Sequence, residues 1–514
     1  MNVADLLGRI DSRCIAEPSA PALIQAGGST STYGEVKTAL DSLTAGLLNA
    51  GMRQGDAVVY SVRPSPESVL LLLAVVRCGG VVVAVDPGMS PELFAARLSL
   101  LEPRWVMAES LPYALARLGP IRRALDRKGV RLPNLDIEGA RVVLQGPRLP
   151  WVHDALYYAD LARVRPALEA PSVDPTGNAV VVFTSGTTSM PKGVLHTRAS
   201  IGAGLSMVAK HLGLRPSDRL YTDQLHMIIP ALMAGASVVI PRRRSGPAFA
   251  LSDLSAYRPT LAYWVPVQLE EVMSQARRTG ESLPESLEVV ILASAPVPRG
   301  FLSRCKQALP AGTRVYSAYA MTEMLPVCFV EMGEKLEYEG VGDLVGAPCP
   351  GVSLRIAEDG EIIVAGPNLC HGYLAGPRLH ELATGDLGCL DADGRLVLLG
   401  RKKDMIIRGS FNIYPSLIEG TVAGIRGVRR CALIGVYDEK SADEVVVLVF
   451  EPDDGYDPLE VQARIGREIR EGHNRIDLHA QPDLIVAREI PLSGRSHKVD
   501  KSALREVVRE LVTC

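Results

Sequence analysis

Apolar positions along the first 300 or so residues follow two alternating patterns. Short runs rich in β-branched residues predict buried strands, and segments with an apolar residue at every third or fourth position predict helices. The runs that predict strands cover residues 57–62, 81–85, 180–183, 237–240, 261–265 and 289–292. The helical patterns include residues 36–48, 65–78 and 91–101. Strands that alternate with helices predict parallel sheets covered on both faces.

The pattern changes after Gly340, where glycine and proline become frequent. Short alternating segments at residues 353–356 and 360–364 predict antiparallel strands. Residues 103–150 are basic and rich in leucine, and we interpret them as helical elaboration. The elements predicted beyond Gly400 are strands at residues 431–436 and 445–450 and helices at residues 458–470 and 501–511. The sequence therefore predicts an α/β fold, with a large N-terminal domain of layered sheets and helices (residues 1–400) and a small mobile C-terminal α+β domain (residues 401–514).

Composition narrows the class of protein. A chain of 514 residues is too long for a single core, and a net charge of −3 disfavours a nucleic-acid partner. The nine cysteines are scattered without a Cys-x-x-Cys pair, which disfavours a zinc site and favours a reducing compartment. No apolar run reaches the roughly 18 residues of a membrane span. These features predict a cytoplasmic protein without a membrane span.

The strand predicted at residues 180–183 leads into a loop of small and hydroxylated residues, Thr184-Ser185-Gly186-Thr187-Thr188-Ser189, and then into Met190-Pro191-Lys192-Gly193. Small side chains let backbone N–H groups approach an anion, and hydroxyls and an ammonium add donors. The loop differs from a Walker A loop, because Pro191 precedes the lysine and Gly193 follows it. The composition predicts a phosphate-holding loop, with a surface loop rich in turn residues as the alternative.

The phosphate-holding loop resembles the signature loop of the adenylate-forming superfamily, which includes acyl-CoA synthetases, peptide-synthetase adenylation domains and firefly luciferases. Four more motifs follow in the order that the family has. They are Tyr319-Ala320-Met321-Thr322-Glu323, Ala383-Thr384-Gly385-Asp386, a hinge motif from Gly400-Arg401-Lys402-Lys403-Asp404 to Asn412-Ile413-Tyr414-Pro415, and a lysine motif from Pro491 to Lys498-Val499-Asp500. Because these motifs span almost the whole chain, it is identified as a member of this superfamily.

The resemblance implies ATP and Mg²⁺ as cofactors. Joining a carboxylate to a triphosphate brings anions together, so their repulsion must be neutralised. The residues implied to hold the β- and γ-phosphates are Thr184, Ser185, Gly186, Thr187, Thr188 and Lys192. Glu323 is implied as a ligand of Mg²⁺, a hard cation that suits carboxylate oxygens, and Thr322 as a donor to the α-phosphate. The adenosine is implied to contact Tyr319, the backbone of Ser294-Ala295-Pro296, and, through its ribose, Asp386 and Arg401.

Lys498 is the residue implied to act in the chemical step. An ammonium between the α-phosphate and the attacking carboxylate stabilises charge that grows in the transition state. Lys403 is implied as the pivot of a hinge whose closure brings Lys498 to the site and whose rotation admits the thiol of CoA. Ser410 stands where the family has a glycine that lines the thiol tunnel, so its side chain disfavours the thioester step. The other departures are Ser189, Ala320 and His497, each in place of a glycine.

The acid substrate is expected to be hydrophobic. Asp86-Pro87-Gly88-Met89 and the segment 322–327 resemble a branch of long-chain acyl ligases that includes β-lactone synthetases. His226 is a candidate for the acyl site, with a structural role as the alternative. Asp223 is a candidate for holding the ammonium of an amino-acid substrate, with an ordinary loop carboxylate as the alternative.

The predicted function is ATP-dependent activation of a hydrophobic carboxylic acid to acyl-AMP with release of pyrophosphate, followed by transfer to CoA. One alternative is a ligase that stops at the adenylate and passes it to a separate acyl-acceptor protein or transferase. Another is a β-lactone synthetase, in which the 3-hydroxyl of the substrate attacks the adenylate. The third is a catalytically idle nucleotide-binding scaffold.

Overall fold

The computed structural model describes residues 3–85, 94, 97–98, 100–127, 132, 135–166, 171–183, 192–242, 246–408, 411–438, 443–471, 476, 480–493 and 498–512. The chain divides into two compact units. The first consists of Met1–Tyr263, Ala320–Pro326 and Ala365–His380, and the second of Trp264–Tyr319, Val327–Val364 and Glu381–Cys514. The predicted domains, 1–400 and 401–514, depend on an expected movement of the second against the first, and they stay a prediction.

The first unit is built around parallel strands, as the alternating pattern predicted. Its strands, numbered along the whole chain, are β1 (Pro21–Gln25), β2 (Thr30–Thr32), β3 (Ala57–Ser61), β4 (Val81–Ala84), β5 (Pro103–Glu109), β6 (Arg141–Gln145), β7 (Ala155–Tyr157), β8 (Asn178–Phe183), β9 (Gly193–Thr197), β10 (Arg219–Tyr221), β11 (Ser237–Ile240), β12 (Leu261–Trp264) and β19 (Gly372–Tyr373). One sheet has the order β19-β9-β8-β4-β3-β5-β6-β7, and a second group has the order β12-β10-β11-β1-β2. Strands β8, β4, β3, β5, β6 and β7 run parallel, whereas β9 returns antiparallel to β8.

Helices of the first unit begin and end at residues suited to those positions. Their bounds are Val3–Ala16, Tyr33–Asn49, Pro66–Arg77, Ser110–Arg117, Gly119–Arg127, Tyr158–Leu161, Arg198–His211, Leu225–Ala234 and Pro247–Tyr257. The almost wholly apolar helix Pro66–Arg77 starts with Ser65, whose side chain accepts from the Ser68 amide, and with proline in its first turn. Gly79 follows it at φ +84°, a conformation that glycine adopts without strain. This turn leads directly into the buried strand β4.

Our interpretation of residues 103–150 as helical elaboration was wrong. The segment contains strands β5 and β6, which pair with each other in parallel, and β5 also pairs with β3. Among the residues of this segment that the structure describes, the helices are Ser110–Arg117 and Gly119–Arg127. In β5 every residue from Trp105 to Glu109 is buried, so the strand lacks the polar alternation that would have marked it. The buried centre of β5 belongs to a core that includes Val59, Val83 and Val181.

The second unit begins with a parallel pair of strands and continues mainly with antiparallel strands, as the sequence pattern after Gly340 predicted, although its strand Leu484–Ala487 runs parallel to Asp443–Pro452. Its strands are β13 (Val289–Leu292), β14 (Arg314–Met321), β15 (Met324–Glu331), β16 (Asp343–Pro348), β17 (Ser353–Ile356), β18 (Glu361–Ala365), β20 (Leu382–Leu390), β21 (Leu396–Arg401), β22 (Ile406–Arg408), β23 (Phe411–Ile413), β24 (Val428–Asp438), β25 (Asp443–Pro452), β26 (Leu484–Ala487), β27 (Leu492–Ser493) and β28 (Lys498–Val499). Its helices are Pro266–Thr279, Arg299–Ala308, Met332–Glu337, Pro415–Val422, Pro458–Arg470 and Lys501–Val512, with a 3₁₀ turn at Lys402–Asp404.

Residues beyond Gly400 bury apolar side chains on both faces of the sheet β24-β25-β26. One core contains Leu433 and Leu448 and packs against the helix Pro458–Arg470. The other contains Ile434 and Val449 and packs against the helix Lys501–Val512. Because both cores draw on residues after 405 alone, this segment has the buried apolar material that a small domain needs.

The described cysteines are unpaired, and they differ in exposure. Cys14, Cys78, Cys305, Cys328, Cys349 and Cys370 are buried, Cys431 is half-buried and Cys389 is exposed. Burial raises the pKa of the Cys14 thiol to about 11. In the described part of the chain no helix has both the length and the apolar character that crossing a bilayer requires. The cytoplasmic location stays a prediction.

Candidate functional site

Thr322 and Glu323 form the turn between β14 and β15, and two hydrogen bonds to its backbone carbonyls, one from a side chain and one from an amide, hold this turn in the first unit. The ring of His196 donates from Nε2 to the Thr322 carbonyl at 2.8 Å, and the Cys370 amide donates to the Glu323 carbonyl at 2.8 Å. A carbonyl can only accept, so Nε2 carries the proton and Nδ1 accepts from the Ser200 hydroxyl at 3.2 Å. Burial lowers the pKa of His196, which keeps the ring neutral.

The helix Arg198–His211 approaches this turn closely through Gly204. A Cβ atom at Gly204 would lie 2.1 Å from the carbonyl oxygen of Leu325, a distance that no side chain tolerates. The same helix supplies Ser200 to His196. Backbone and side chain of one helix therefore both fix the segment that carries Thr322 and Glu323.

The carboxylate of Glu323 lies beside an aromatic ring and an ammonium group. The Tyr373 hydroxyl donates to Glu323 Oε1 at 3.0 Å, and Lys192 Nζ lies 5.3 Å from the centroid of the Tyr373 ring. Within the described residues, Glu323 Oε2 has no hydrogen-bond partner. Neither Tyr373 nor His196 was among the predicted site residues. Both contact motif residues that are far away along the chain. A hydroxyl that donates a hydrogen bond leaves no recognisable spacing pattern in a sequence.

The predicted phosphate loop joins two paired strands. Phe183 of β8 and Gly193 of β9 are partners in the antiparallel register, so residues 184–192 connect the two strands at the end of a hairpin. Lys192 is exposed at the start of β9. The remaining predicted phosphate ligands, Thr184 to Thr188, lie outside the described residues, as do Ser410, His497 and the segment 86–89.

Asp386 of the second unit is a buried carboxylate whose two oxygens are both engaged. The Tyr319 hydroxyl donates to Oδ2 at 2.6 Å, and Arg401 Nε forms an ion pair with Oδ1 at 2.6 Å. Burial raises the pKa of Asp386, a shift opposed first by Arg401 and then by Tyr319 and Lys498. Burial and the negative Asp386 also raise the pKa of Tyr319, so the hydroxyl remains a donor.

Neighbouring residues hold the loop that carries Asp386. Gly385 has φ +73°, and its amide donates to Glu361 Oε1 at 2.9 Å. The other oxygen of Glu361 accepts from Lys402 Nζ at 2.8 Å. Lys403, the predicted hinge residue, is exposed in the adjacent 3₁₀ turn. A cleft of about 320 Å³ is lined by Gly385, Arg401, Lys402 and Lys403.

Ser294, Ala295 and Pro296 follow the carboxyl end of β13, which pairs in parallel with β14. Leu292 is the register partner of Ser317, two residues before Tyr319 on β14. Ser294 has φ +70°, which a residue with a side chain rarely adopts. Strained backbone concentrates at sites that bind ligands, which agrees with the predicted role of this segment beside adenine.

Lys498 belongs to the short hairpin of β27 and β28, in which it pairs with Ser493. It lies within electrostatic range of Asp386 and Arg401. Although much of the side chain is exposed, partial withdrawal from water and then the positive Arg401 lower the pKa of Lys498. The second unit therefore brings together Lys498, Asp386, Arg401 and Tyr319, which are dispersed along the sequence.

A buried carboxylate anchors the base of the Lys498 hairpin. Glu451, only 4% exposed, accepts from the Ile490 amide at 2.8 Å through Oε1. Its Oε2 pairs with Arg430 at 2.6 Å and with Arg429 at 3.2 Å. The Asp500 amide donates to the Pro491 carbonyl at 2.8 Å, which closes the other side of the hairpin.

His226, the candidate acyl-site residue, is half-buried in the helix Leu225–Ala234, and its ring meets Tyr263 edge-on at a centroid distance of 5.1 Å. Loss of hydration lowers the pKa of His226 to about 4, so the ring is neutral at pH 7. Asp223 is exposed and accepts from the side chain of Gln224 at 2.7 Å. An exposed carboxylate with a local partner is poorly suited to holding a buried ammonium.

Glu323 suits the Mg²⁺ that the resemblance implies. It is a half-buried carboxylate with one oxygen free of partners among the described residues, and carboxylate oxygen is a ligand that this cation prefers. Across the described residues no group of three or more His, Cys, Asp or Glu side chains could hold a metal ion. A single carboxylate fits a metal bound mainly through the phosphates of a nucleotide.

Comparison with known proteins identifies the family. The family described as AMP-binding enzyme matches residues 10–374. Feruloyl-CoA synthase of Amycolatopsis sp is 29% identical over 464 residues, covering 84% of this chain and 86% of that protein. Olefin beta-lactone synthetase of Stenotrophomonas maltophilia is 28% identical and covers 83% and 82%. The structure of the amide bond synthetase McbA from Marinactinospora thermotolerans has the same fold, with a TM-score of 0.80 at 24% identity over 98% and 99% of the two chains. The chain belongs to the AMP-binding enzymes, the adenylate-forming ligases that its motifs resemble.

Proposed function

We propose that this enzyme activates a hydrophobic carboxylic acid with ATP and Mg²⁺, forms acyl-AMP with release of pyrophosphate, and transfers the acyl group to CoA. The observation that carries the proposal is the proximity of Lys498 to Asp386 and Arg401 in the second unit. A lysine with a lowered pKa within electrostatic range of a buried carboxylate is typical of a catalytic cluster. The feruloyl-CoA synthase relative supports CoA as the acceptor.

In the first step, an oxygen of the substrate carboxylate attacks the α-phosphorus of ATP. The new C–O–P linkage forms as the bond to the β-phosphate oxygen breaks, and pyrophosphate leaves with its charge. In this proposal Lys498 stabilises the negative charge shared by the attacking and α-phosphate oxygens. Lys192 and the hydroxyls of residues 184–188 hold the β- and γ-phosphates, and Thr322 donates to the α-phosphate.

The remaining site residues bind and orient the nucleotide in this proposal. Asp386, already oriented by Tyr319 and Arg401, accepts from the ribose hydroxyls. Tyr319 and the segment 294–296 flank the adenine. Glu323 would hold Mg²⁺, which would supply positive charge against the phosphates, and Lys192 would bind the terminal phosphates.

The acid is proposed to be hydrophobic because His226 is neutral. An imidazole with a pKa of about 4 attracts no second anionic group at pH 7 and presents a flat, weakly polar surface with Tyr263. Asp223, which is exposed, gives no support to an amino-acid substrate.

A second candidate function ends at the adenylate. Ser410, in place of the glycine expected along the thiol tunnel, disfavours entry of CoA and favours a separate acyl-acceptor protein or transferase. The olefin beta-lactone synthetase relative supports a related outcome, in which a 3-hydroxy acid closes on its own adenylate. Lys403 remains the proposed pivot for the movement of residues 401–514 in each case.

The test is a product assay by mass spectrometry. The enzyme is incubated with ATP, Mg²⁺ and a panel of fatty, aryl and 3-hydroxy acids, with and without CoA. Acyl-CoA formed only when CoA is present supports the complete reaction. Acyl-AMP in both arms favours the ligase that stops, and a product lighter than a 3-hydroxy acid by one water, without CoA, favours the lactone. Absence of pyrophosphate with every acid would leave only an idle scaffold.

A further inference from the structure

Tyr373 contacts two charged residues at once, although no motif pointed to it. Its hydroxyl lies 3.0 Å from Glu323 Oε1, and its ring lies beneath the ammonium of Lys192 at 5.3 Å. Strand pairing fixes its backbone, since Tyr373 of β19 is the register partner of Val194 of β9. The Leu374 amide also donates to the Gly193 carbonyl at 2.8 Å. The ring is therefore held next to Lys192 independently of either charged contact.

We propose that Tyr373 is a positioning residue that orients the Glu323 carboxylate for the metal and, through its ring, restrains Lys192 for the phosphates. The inference rests on the proposed function, in which Glu323 holds Mg²⁺ and Lys192 holds ATP. It adds a residue, 50 positions away along the chain from the carboxylate that it contacts.

The chemistry of the hydroxyl supports the orienting role. A donor on Oε1 fixes the plane of the carboxylate and leaves Oε2, which has no partner among the described residues, to bind a cation. A carboxylate oxygen accepts, so the Tyr373 hydroxyl is the donor in this 3.0 Å contact. Orienting groups of this kind typically change metal affinity by about 10- to 100-fold.

The ring supports the second role. An ammonium within about 6 Å of an aromatic centroid is attracted by the face of the ring. Lys192 is exposed and has a flexible side chain, so this contact restricts it to the side of the turn where Glu323 lies. The two contacts use different parts of Tyr373, and substitutions can separate them.

The experiment compares Tyr373→Phe, which keeps the ring, with Tyr373→Leu, which removes both contacts. Mn²⁺ binding is measured by electron paramagnetic resonance in the presence of α,β-methylene-ATP and without acid, so no turnover is needed. Nucleotide binding is measured by calorimetry in EDTA, where the metal cannot contribute. Tyr60→Phe is the matched control, because the Tyr60 hydroxyl donates to the Ser68 carbonyl at 2.6 Å in the core of the same unit.

Tyr373→Phe should weaken Mn²⁺ binding by about tenfold and leave metal-free nucleotide affinity unchanged. Tyr373→Leu should weaken both, and Tyr60→Phe neither. In a Glu323→Gln background the effect of Tyr373→Phe on Mn²⁺ should disappear, which a purely structural role of the tyrosine would not produce.

Mn²⁺ affinity of Tyr373→Phe equal to that of the wild type would overturn the inference and leave the proposed function standing. A wild-type enzyme that binds no Mn²⁺ with the nucleotide would overturn both. An equal loss in the Glu323→Gln background would also overturn the inference, because the tyrosine would then act without the carboxylate.

Discussion

Glu451 offers the sharpest test of how the Lys498 hairpin, formed by β27 and β28, is held. Replacing it with alanine leaves the buried Ile490 amide without an acceptor and the guanidinium groups of Arg429 and Arg430 without their shared partner. An unsatisfied buried N–H costs about 1–3 kcal/mol. The two arginines are 51% and 29% exposed, so water compensates for much of the lost ion pairing. We assign the two pairs together about 1 kcal/mol.

The expected destabilisation of this region is therefore about 2–4 kcal/mol. Hydrogen exchange measures it locally, because amide exchange reports the free energy of opening of each segment. In Glu451→Ala, peptides covering residues 484–493 should exchange about 30- to 1,000-fold faster. Glu451→Gln keeps an acceptor for the Ile490 amide and loses only the ion pairs, so its increase should be about fivefold.

Asp454→Asn is the matched control. Asp454 also contacts Arg429, at 3.7 Å, but its side chain is fully exposed, so exchange should change by less than about threefold. Adenylate formation should fall in the order of the exchange rates, because Lys498 belongs to the anchored hairpin. Exchange in Glu451→Ala that matches the wild type, or that Asp454→Asn reproduces, would refute the reasoning.

Four further predictions concern the site residues and pH. Lys498→Ala should abolish adenylate formation, measured by pyrophosphate release, while ATP binding, measured by calorimetry, persists; the exposed Lys306→Ala should change neither. In the wild type the rate of adenylate formation should fall as pH rises through the Lys498 pKa, which lies below 10.5, because the ammonium is the active form in the proposed mechanism. Asp386→Asn should weaken ATP binding by about 10- to 150-fold, because one charge-assisted hydrogen bond is lost. An unchanged dissociation constant for ATP would contradict the proposal that Asp386 binds the ribose. His226 is neutral in the folded protein down to a pKa of about 4 but protonated below 6.5 when unfolded, so stability should fall as pH drops through that window, and His226→Phe should flatten that part of a urea-unfolding profile. Ser410→Gly should raise thioester formation more than adenylation in paired rate measurements, and equal changes in both rates would contradict the tunnel argument.

The local sequence pattern was enough to predict those helices and strands whose apolar residues follow the expected spacing and type. The strands at residues 237–240 and 289–292 and the helix at residues 458–470 begin and end where the apolar runs and helical periodicity indicated. Strand β5 was missed for a physical reason. Its sequence contains a single β-branched residue, Val106, whereas the strands predicted at residues 237–240 and 289–292 contain three each, and Ser110–Arg117 continues from it directly as a helix.

Of the candidate site, the sequence could predict only the residues that belong to local motifs. Tyr319 and Asp386 were proposed separately, but their hydrogen bond joins residues 67 positions apart and depends on how β14 and β20 are placed. The ring nitrogen of His196 and the hydroxyl of Tyr373 contact Thr322 and Glu323, which lie in a turn that is distant along the chain. Such contacts follow from sheet register, which sequence periodicity on its own does not determine.

The uneven exposure of the cysteines has a practical consequence for fluorescence measurements on this enzyme. Thiolate is the reactive form, so buried thiols with raised pKa values resist maleimide dyes, whereas Cys389 is exposed on β20, three residues from Asp386. Once Cys514, which lies outside the described residues, is replaced by serine, a fluorophore could be attached selectively at Cys389. If Asp386 binds the ribose as proposed, the emission of this fluorophore would report nucleotide arrival in real time. Paired with a second dye beyond Gly400, it would turn the proposed hinge motion into a measurable change of distance.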